Sequence, residues 1–271
     1  MVNPDQLLYE TSGVVHSNIQ VRQRGDVRYL RFGSSGGWQG AVRCGGGFQR
    51  PVFAYQRAFA SLAESLPAPE AFLSLGVGTG TAMHTVGQLH PACRLDGVDI
   101  DQAVIELALH YFGAPEPGQA RYYVHDAVVF CDHCDRVYDL VFVDVYQARA
   151  VDERVLAPSF ADRLHQILRP GGVAVCNIIG RLPVSHALRA FARAAASRFP
   201  AVWVLPVGSA PAFVEQNMLW VLCDGDDSVA RWRTAMRTSL WLSPWERALW
   251  PMRLRRMSAD SARDADADPS R

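Results

Sequence analysis

The 271-residue sequence predicts an α/β protein: a doubly wound, Rossmann-like sheet with a terminal antiparallel strand pair, preceded by a small N-terminal β domain. Three observations predict it. From residue 71 onward, short apolar runs alternate with helical stretches, the rhythm of parallel β–α–β units. The last two apolar runs, Ala201 to Val207 and Met218 to Cys223, have only a loop between them, so they can pair antiparallel. The first 48 residues or so read instead as strands and turns.

The elements follow in order. Ile19 to Val21 and Tyr29 to Phe32 flank Arg24-Gly25-Asp26, a hairpin turn signal. The glycines at 36–37 and 45–47 read as a loop or a linker to the next domain. Residues 52–66 have helical spacing, with Phe53, Phe59, Leu62 and Leu66 available for one face, and Pro67 and Pro69 end the segment. Strand 71–75, helix 81–89, strand 95–99 and helix 103–111 come next, then strands 122–124 and 140–143. Helix 160–168 stops at Arg169-Pro-Gly-Gly172, and strand 173–178 and helix 184–198 lead to the closing pair. A last helix is expected over 228–242, and a disordered tail over 258–271, rich in Ser, Ala and Asp. The domain boundaries are thus 1–50 for the β domain, 51–257 for the Rossmann-like domain and 258–271 for the tail.

Composition narrows the chemistry. The 27 basic residues, all arginine, balance 27 acidic ones. Without lysine, Schiff-base, pyridoxal-phosphate and P-loop mechanisms are excluded. Zero net charge gives no global pull toward nucleic acid or an anionic membrane. The start, Met1-Val-Asn-Pro-Asp-Gln6, has no secretory pattern, and no apolar run reaches the roughly 18 residues of a membrane span. Six scattered cysteines suit a reducing, cytoplasmic setting. Cys131-Asp-His-Cys134 has metal or redox spacing but no second ligand pair, so no metal is expected. Residues 231–256 interleave seven arginines with Trp232, Trp241, Trp245 and Trp250. Such a mixture can bind single-stranded nucleic acid or dock on a partner, but a terminal helix with Trp inward and Arg outward explains it more simply.

The strongest local signal is Gly76-Val-Gly78-Thr-Gly80, directly after the first strand of the alternating region and opening a helix. Small residues there let backbone N–H groups approach a ligand. Nineteen residues after Gly80, the next strand ends in Asp99-Ile-Asp101, where a carboxylate can accept from ribose hydroxyls. Position 81 is Thr where a dinucleotide fingerprint needs Gly, so the spacing favours a nucleoside with a small charged tail. Asp126 and Asp144 fall at two further strand ends, the first placed to meet the adenine amine. Asp101 reads as the N-cap of the following helix. An acidic rim suits a cationic ligand: S-adenosylmethionine carries a sulfonium, and its decarboxylated form more net positive charge. Alkyl transfer from sulfonium needs positioning and a base for a protonated amine.

With these residues in place the chain resembles the spermidine synthase (polyamine aminopropyltransferase) superfamily, especially its divergent bacterial members. The resemblance runs from about residue 8 to 223 and rests on Leu8-Tyr-Glu-Thr11, Asn18-Ile-Gln-Val21, Gln39-Gly-Ala-Val42, Tyr55, Ser74 to Gly80, Val98-Asp-Ile-Asp101, Tyr138 to Asp144, Arg169 to Val173 and Asn177-Ile-Ile-Gly180. It implies a class I methyltransferase-type fold and a homodimer. It implies a donor site of Gly76, Gly78, Gly80, Asp99 and Asp126, binding S-adenosylmethionine or its decarboxylated form. It implies that Asp144 deprotonates or orients a small amine, with Tyr55, Gln56, Tyr146 and Gln147 at the substrate. Three motifs depart from the family pattern: Thr79 and Gln147 replace acids, and Tyr55-Gln-Arg57 replaces Tyr-His-Glu. The expectation is a transferase moving an aminopropyl or related alkyl group to a small amine. The alternatives are a small-molecule methyltransferase on the same site and a non-catalytic binding module that keeps the fold.

Overall fold

The computed structural model describes residues 4–33, 37–45, 48–147, 150–151 and 153–257. Four antiparallel strands come first, paired in chain order: β1 (Gln6–Thr11), β2 (Ile19–Arg24), β3 (Val27–Phe32) and β4 (Trp38–Arg43). The turn at Arg24-Gly25-Asp26 lies where the sequence puts it, with Arg24 paired to Val27 and Gly25 at φ +60°. β4, between the glycines at 36–37 and 45–47, is a strand that the sequence reading does not name. Gly40 stands inside this strand because a Cβ there would lie 2.5 Å from Thr79 Cγ2. The glycine therefore marks a close backbone approach between the small sheet and the glycine loop.

After α1 (Ala54–Ser65) come β5 (Ala71–Leu75), α2 (Thr81–Leu89), β6 (Arg94–Asp99), α3 (Gln102–Phe112), β7 (Ala120–Val124), α4 (Ala127–His133) and β8 (Tyr138–Val143). A two-residue pair, β9 (Tyr146–Gln147) and β10 (Ala150–Val151), precedes α5 (Pro158–Gln166), β11 (Leu168–Gly180), α6 (His186–Arg198), β12 (Ala201–Pro206) and β13 (Gln216–Cys223). Next are α7 (Asp227–Ala235), α8 (Pro244–Arg253) and β14 (Arg255–Arg256). The predicted tail, 258–271, lies outside the described residues.

The large sheet has the order β14-β12-β13-β11-β8-β5-β6-β7. From β7 to β11 the pairing is parallel, and β13 runs antiparallel to both β11 and β12, the closing pair that the sequence predicts. Strand residues alternate between two cores, as period-two side chains must. Phe72, Leu140, Phe142 and Val175 join Phe59, Val86 and Trp250 in one; Leu73, Val141 and Cys176 join Phe160, Leu164 and Phe191 in the other. The small sheet packs Ile19, Val21 and Leu30 on Val104, Leu107 and Phe112 of α3.

Two helices differ from expectation. α4 is absent from the sequence reading because it is only seven residues long and follows β7 directly. The expected helix at 228–242 is α7, which ends at Ala235, and a second helix, α8, follows beyond the expected range. The start of α8 was legible: Ser243-Pro244-Trp245-Glu246 has the Ser-x-x-Glu pattern of a capping box, with Pro at the first helical position. Glu246 is fully buried and answered by Arg57, whose Nη2 donates at 2.6 Å, and by Ser243 N at 2.7 Å. Arg57 thus ties α1 to α8. Trp232, Trp241 and Trp250 are buried, Trp245 is exposed, and the tryptophan-rich end is mostly core. Among the described residues no helix is long and apolar enough to cross a membrane.

Candidate active site

The strand order reverses at β5, which lies between β6 and β8. Ligands of open α/β sheets bind in the crevice outside the strand ends at such a point. Here the loops after β5 and β8 touch. Asp144 N donates to Leu75 O at 2.8 Å, and Gly76 N donates to Val98 O at 2.8 Å. Gly76 has φ +90°, and a Cβ on it would lie 2.3 Å from the Asp144 carbonyl oxygen. Only glycine allows that approach. Gly78 also has positive φ, +54°, and lines the same crevice. Gly80 serves differently. It N-caps α2 at φ +69°, and its missing Cβ makes room for Ala114.

Asp99, at the end of β6, braces the glycine loop. Its Oδ2 accepts from Val77 N at 3.0 Å and Gly78 N at 3.4 Å, and its Oδ1 from Asp101 N at 3.1 Å. Burial pushes its carboxyl above the usual range, against the pull of these three amides. Asp101 is the N-cap of α3, as the sequence predicts, accepting from Ala103 N at 3.1 Å. It also accepts from Val15 N at 3.3 Å, which holds the loop after β1 over the crevice.

Asp126 caps α4. Its Oδ1 accepts from Val128 N and Val129 N at 2.9 and 3.0 Å, and its Oδ2 from Arg154 at 2.7 Å. Burial works against the charged form here, but Arg154 and the two amides hold its pKa below the ordinary value. One carboxylate therefore caps a helix, pairs with an arginine and still faces the crevice.

Asp144 follows β8. Asn177 Nδ2 donates to its Oδ1 at 2.8 Å, and Asn217 Nδ2 donates to Asn177 Oδ1 at 3.0 Å. The Tyr55 hydroxyl donates to the same carboxylate. Burial pushes its pKa up to about 6 from the ordinary 3.8, while the bonds from Asn177 and Tyr55 favour the ionised form. The group is thus held near neutrality, where a general base works best.

These groups line one cavity of about 620 Å³. Gly76, Gly78, Asp99, Asp126, Asp144 and Tyr55 all border it. Gly80 and Gln56 do not: Gln56 is buried beside Tyr55, its Nε2 donating to the Tyr55 hydroxyl at 3.5 Å. The side chains of Tyr146 and Gln147 lie outside the described ones. The cavity adds residues that sequence reasoning gave no role. His16, stacked on Phe32 at 3.8 Å, and Trp38 bring the small sheet to its wall. Arg154 carried no sequence signal. Asn177 did carry one, since it is a polar residue inside the apolar run Val173–Ile178 and is buried at 3% exposure. Buried side-chain amides need partners, and Asp144 and Asn217 supply them.

Residues 52–231 match the family model described as the spermine/spermidine synthase domain. A Bifidobacterium longum protein named a probable polyamine aminopropyl transferase is 35% identical over 106 residues, 39% of this chain and 23% of that protein. The chain thus spans under a quarter of that relative's length. The crystal structure of a probable spermidine synthase from Corynebacterium glutamicum matches with TM-score 0.73 at 16% identity, covering 94% of this chain and 92% of the other. Human methyltransferase-like protein 13, in complex with SAH, matches with TM-score 0.57 at 17% identity, covering 69% and 94%. At such identities the likeness is one of fold, and the fold is the class I methyltransferase type with a four-stranded sheet ahead of it. The family model spans most of the chain, from α1 into α7, and the chain belongs to the spermine/spermidine synthase family.

Proposed function

We propose that this protein is a transferase that moves an aminopropyl or related alkyl group from a sulfonium nucleoside to a small amine. The donor is decarboxylated S-adenosylmethionine or S-adenosylmethionine itself. The observation that carries this reading is the convergence of the glycine loop, Asp99, Asp126 and Asp144 on one cavity at the switch point of the sheet. Asp99 accepts from a ribose hydroxyl with the Oδ1 lone pair that the three backbone amides leave. Asp126 meets the adenine amine, sharing its Oδ2 with Arg154. The amine attacks the carbon beside sulfur, a neutral thioether leaves, and Asp144 takes the proton from the nitrogen. Tyr55 contacts the acceptor side through its bond to Asp144, with Gln56 behind it and Tyr146 and Gln147 on β9, which follows β8. We further propose a cytoplasmic homodimer, with the domain limits set out above.

A methyltransferase is the second reading, and Thr79 favours it. Its side chain is buried and hydrogen-bonded to Thr81 at 2.9 Å, so this position offers the donor tail no negative charge. Calorimetry with each donor separates the two. Aminopropyl transfer calls for tighter binding of the decarboxylated donor, by about tenfold or more, because one carboxylate fewer meets the acidic cavity. Equal or reversed affinities favour methyl transfer, and no binding of either donor overturns both.

A further inference from the structure

The mechanism above uses Asp144 and leaves the two amides behind it unassigned. From their geometry we infer that Asn217, on β13, is a positioning residue that acts through Asn177 to keep Asp144 in its proton-accepting state. This rests on the reading of Asp144 as the base.

Hydrogen-bond logic gives the direction. An ionised carboxylate only accepts, so the Asn177 amide must turn its Nδ2 toward Asp144. That leaves Asn177 Oδ1 facing the opposite way, where Asn217 Nδ2 donates to it at 3.0 Å. Asn177 can point either way on its own, since its oxygen and nitrogen ends have nearly the same shape. With Asn217 Nδ2 donating to its oxygen, the Asn177 amide is held in the donating orientation from both ends and polarised toward Asp144. Asp144 directly follows β8, and Asn177 and Asn217 stand on the adjacent strands β11 and β13, which the sheet holds in register: Cys176, beside Asn177, pairs with Val143, beside Asp144. On the other side Ile179 of β11 pairs with Asn217. The backbone thus fixes the order carboxylate, amide, amide. A relay of this kind costs nothing in reorganisation when the proton moves.

Other groups also bear on Asp144. Tyr55 of α1 bonds to it directly, and Asp99, Asp126, Arg154 and His16 share its cavity. The Asn217 amide reaches Asp144 by way of Asn177, through bonds of 3.0 and 2.8 Å. Removing the Asn217 donor should therefore change Asp144 through Asn177.

The test pairs two substitutions with two readouts. Asn217→Leu removes the donor without adding charge, and Asn217→Asp puts an acceptor against Asn177 Oδ1. Carbon-detected NMR follows the titration of the Asp144 carboxyl, assigned by its loss in Asp144→Asn. The pH profile of kcat/KM follows the base during turnover. For folded variants the expected result is an upward shift of the Asp144 titration, larger for Asn217→Asp than for Asn217→Leu. The acid limb of the kcat/KM profile should move with it. At pH 7 kcat/KM should fall by about three- to tenfold and recover by about pH 9. Two outcomes would overturn the relay: an Asp144 titration unmoved in Asn217→Leu, which would leave only a charge effect, or a loss of rate equal at every pH. A wild-type protein without transferase activity whose Asp144 still responds to Asn217 would count against the proposed function and in favour of the relay.

Discussion

Asp144→Asn should abolish most turnover while making the folded protein more stable. A positioned general base contributes about 10²- to 10⁴-fold to a rate, and the amide cannot accept the amine proton, so kcat should fall by at least about a hundredfold. Donor affinity should change little, because the groups assigned to the donor are Asp99, Asp126 and the glycine loop. The stability change follows from the direction of the pKa shift. Burial raises the Asp144 pKa from 3.8 to about 6 in the folded state. A raised carboxylate contributes stability at pH values below its unfolded pKa. That stability is lost as pH climbs from 3.8 to about 6, since the folded protein must then hold a charge it disfavours. Asparagine avoids the penalty. Above pH 6 the variant should therefore gain on the order of 1–3 kcal/mol, and below pH 3.8 the advantage should vanish. Thermal melts across pH, beside a turnover assay, check both halves. A variant that is inactive and also less stable at neutral pH would mean that Asp144 is structural.

Gly76→Ala should be the most damaging single change at the site. Its Cβ would sit 2.3 Å from the carbonyl oxygen of Asp144, a backbone atom that cannot rotate away. Its φ of +90° also lies in the region that alanine disfavours. Together the two effects should cost about 2–5 kcal/mol of stability. Whatever relaxes must move either the glycine loop or the strand end that carries Asp144, so surviving protein should lose donor affinity and turnover together. Chemical denaturation and donor calorimetry measure the two effects. Gly80→Ala gives the contrast: its added methyl meets Ala114 away from the cavity, so stability should fall further than the affinity of the protein that remains folded.

The sequence carried the fold well where its physics is local. Alternating apolar runs gave the parallel strands, the loop-linked pair gave β12 and β13, and a carboxylate before a helix gave the Asp101 cap. It failed where a residue serves two purposes. Asp126 was read as a ligand group, and its second role, capping α4, hid the helix behind it. Strand β4, between the glycines at 36–37 and 45–47, has no local signature, and the reason for its Gly40, Thr79, lies on another element. Arg57 replaces a family acid, and its partner Glu246 is nearly two hundred residues away, so its structural use was invisible locally. The site itself was legible in its carboxylates and glycines, which sit at strand ends. Asn177 stands out as a polar residue in an apolar run, but its pairing with Asn217 does not, because that hydrogen-bonded order comes only from the sheet register.

The most direct test of the proposed chemistry is the nucleoside released during turnover. The purified protein is incubated with a pool of small amines and, separately, decarboxylated S-adenosylmethionine or S-adenosylmethionine, and the products are read by mass spectrometry. The expected result is methylthioadenosine from the decarboxylated donor, together with an amine heavier by one aminopropyl group, both missing in Asp144→Asn. S-adenosylhomocysteine with a methylated amine would contradict aminopropyl transfer, and release of neither nucleoside would contradict alkyl transfer altogether.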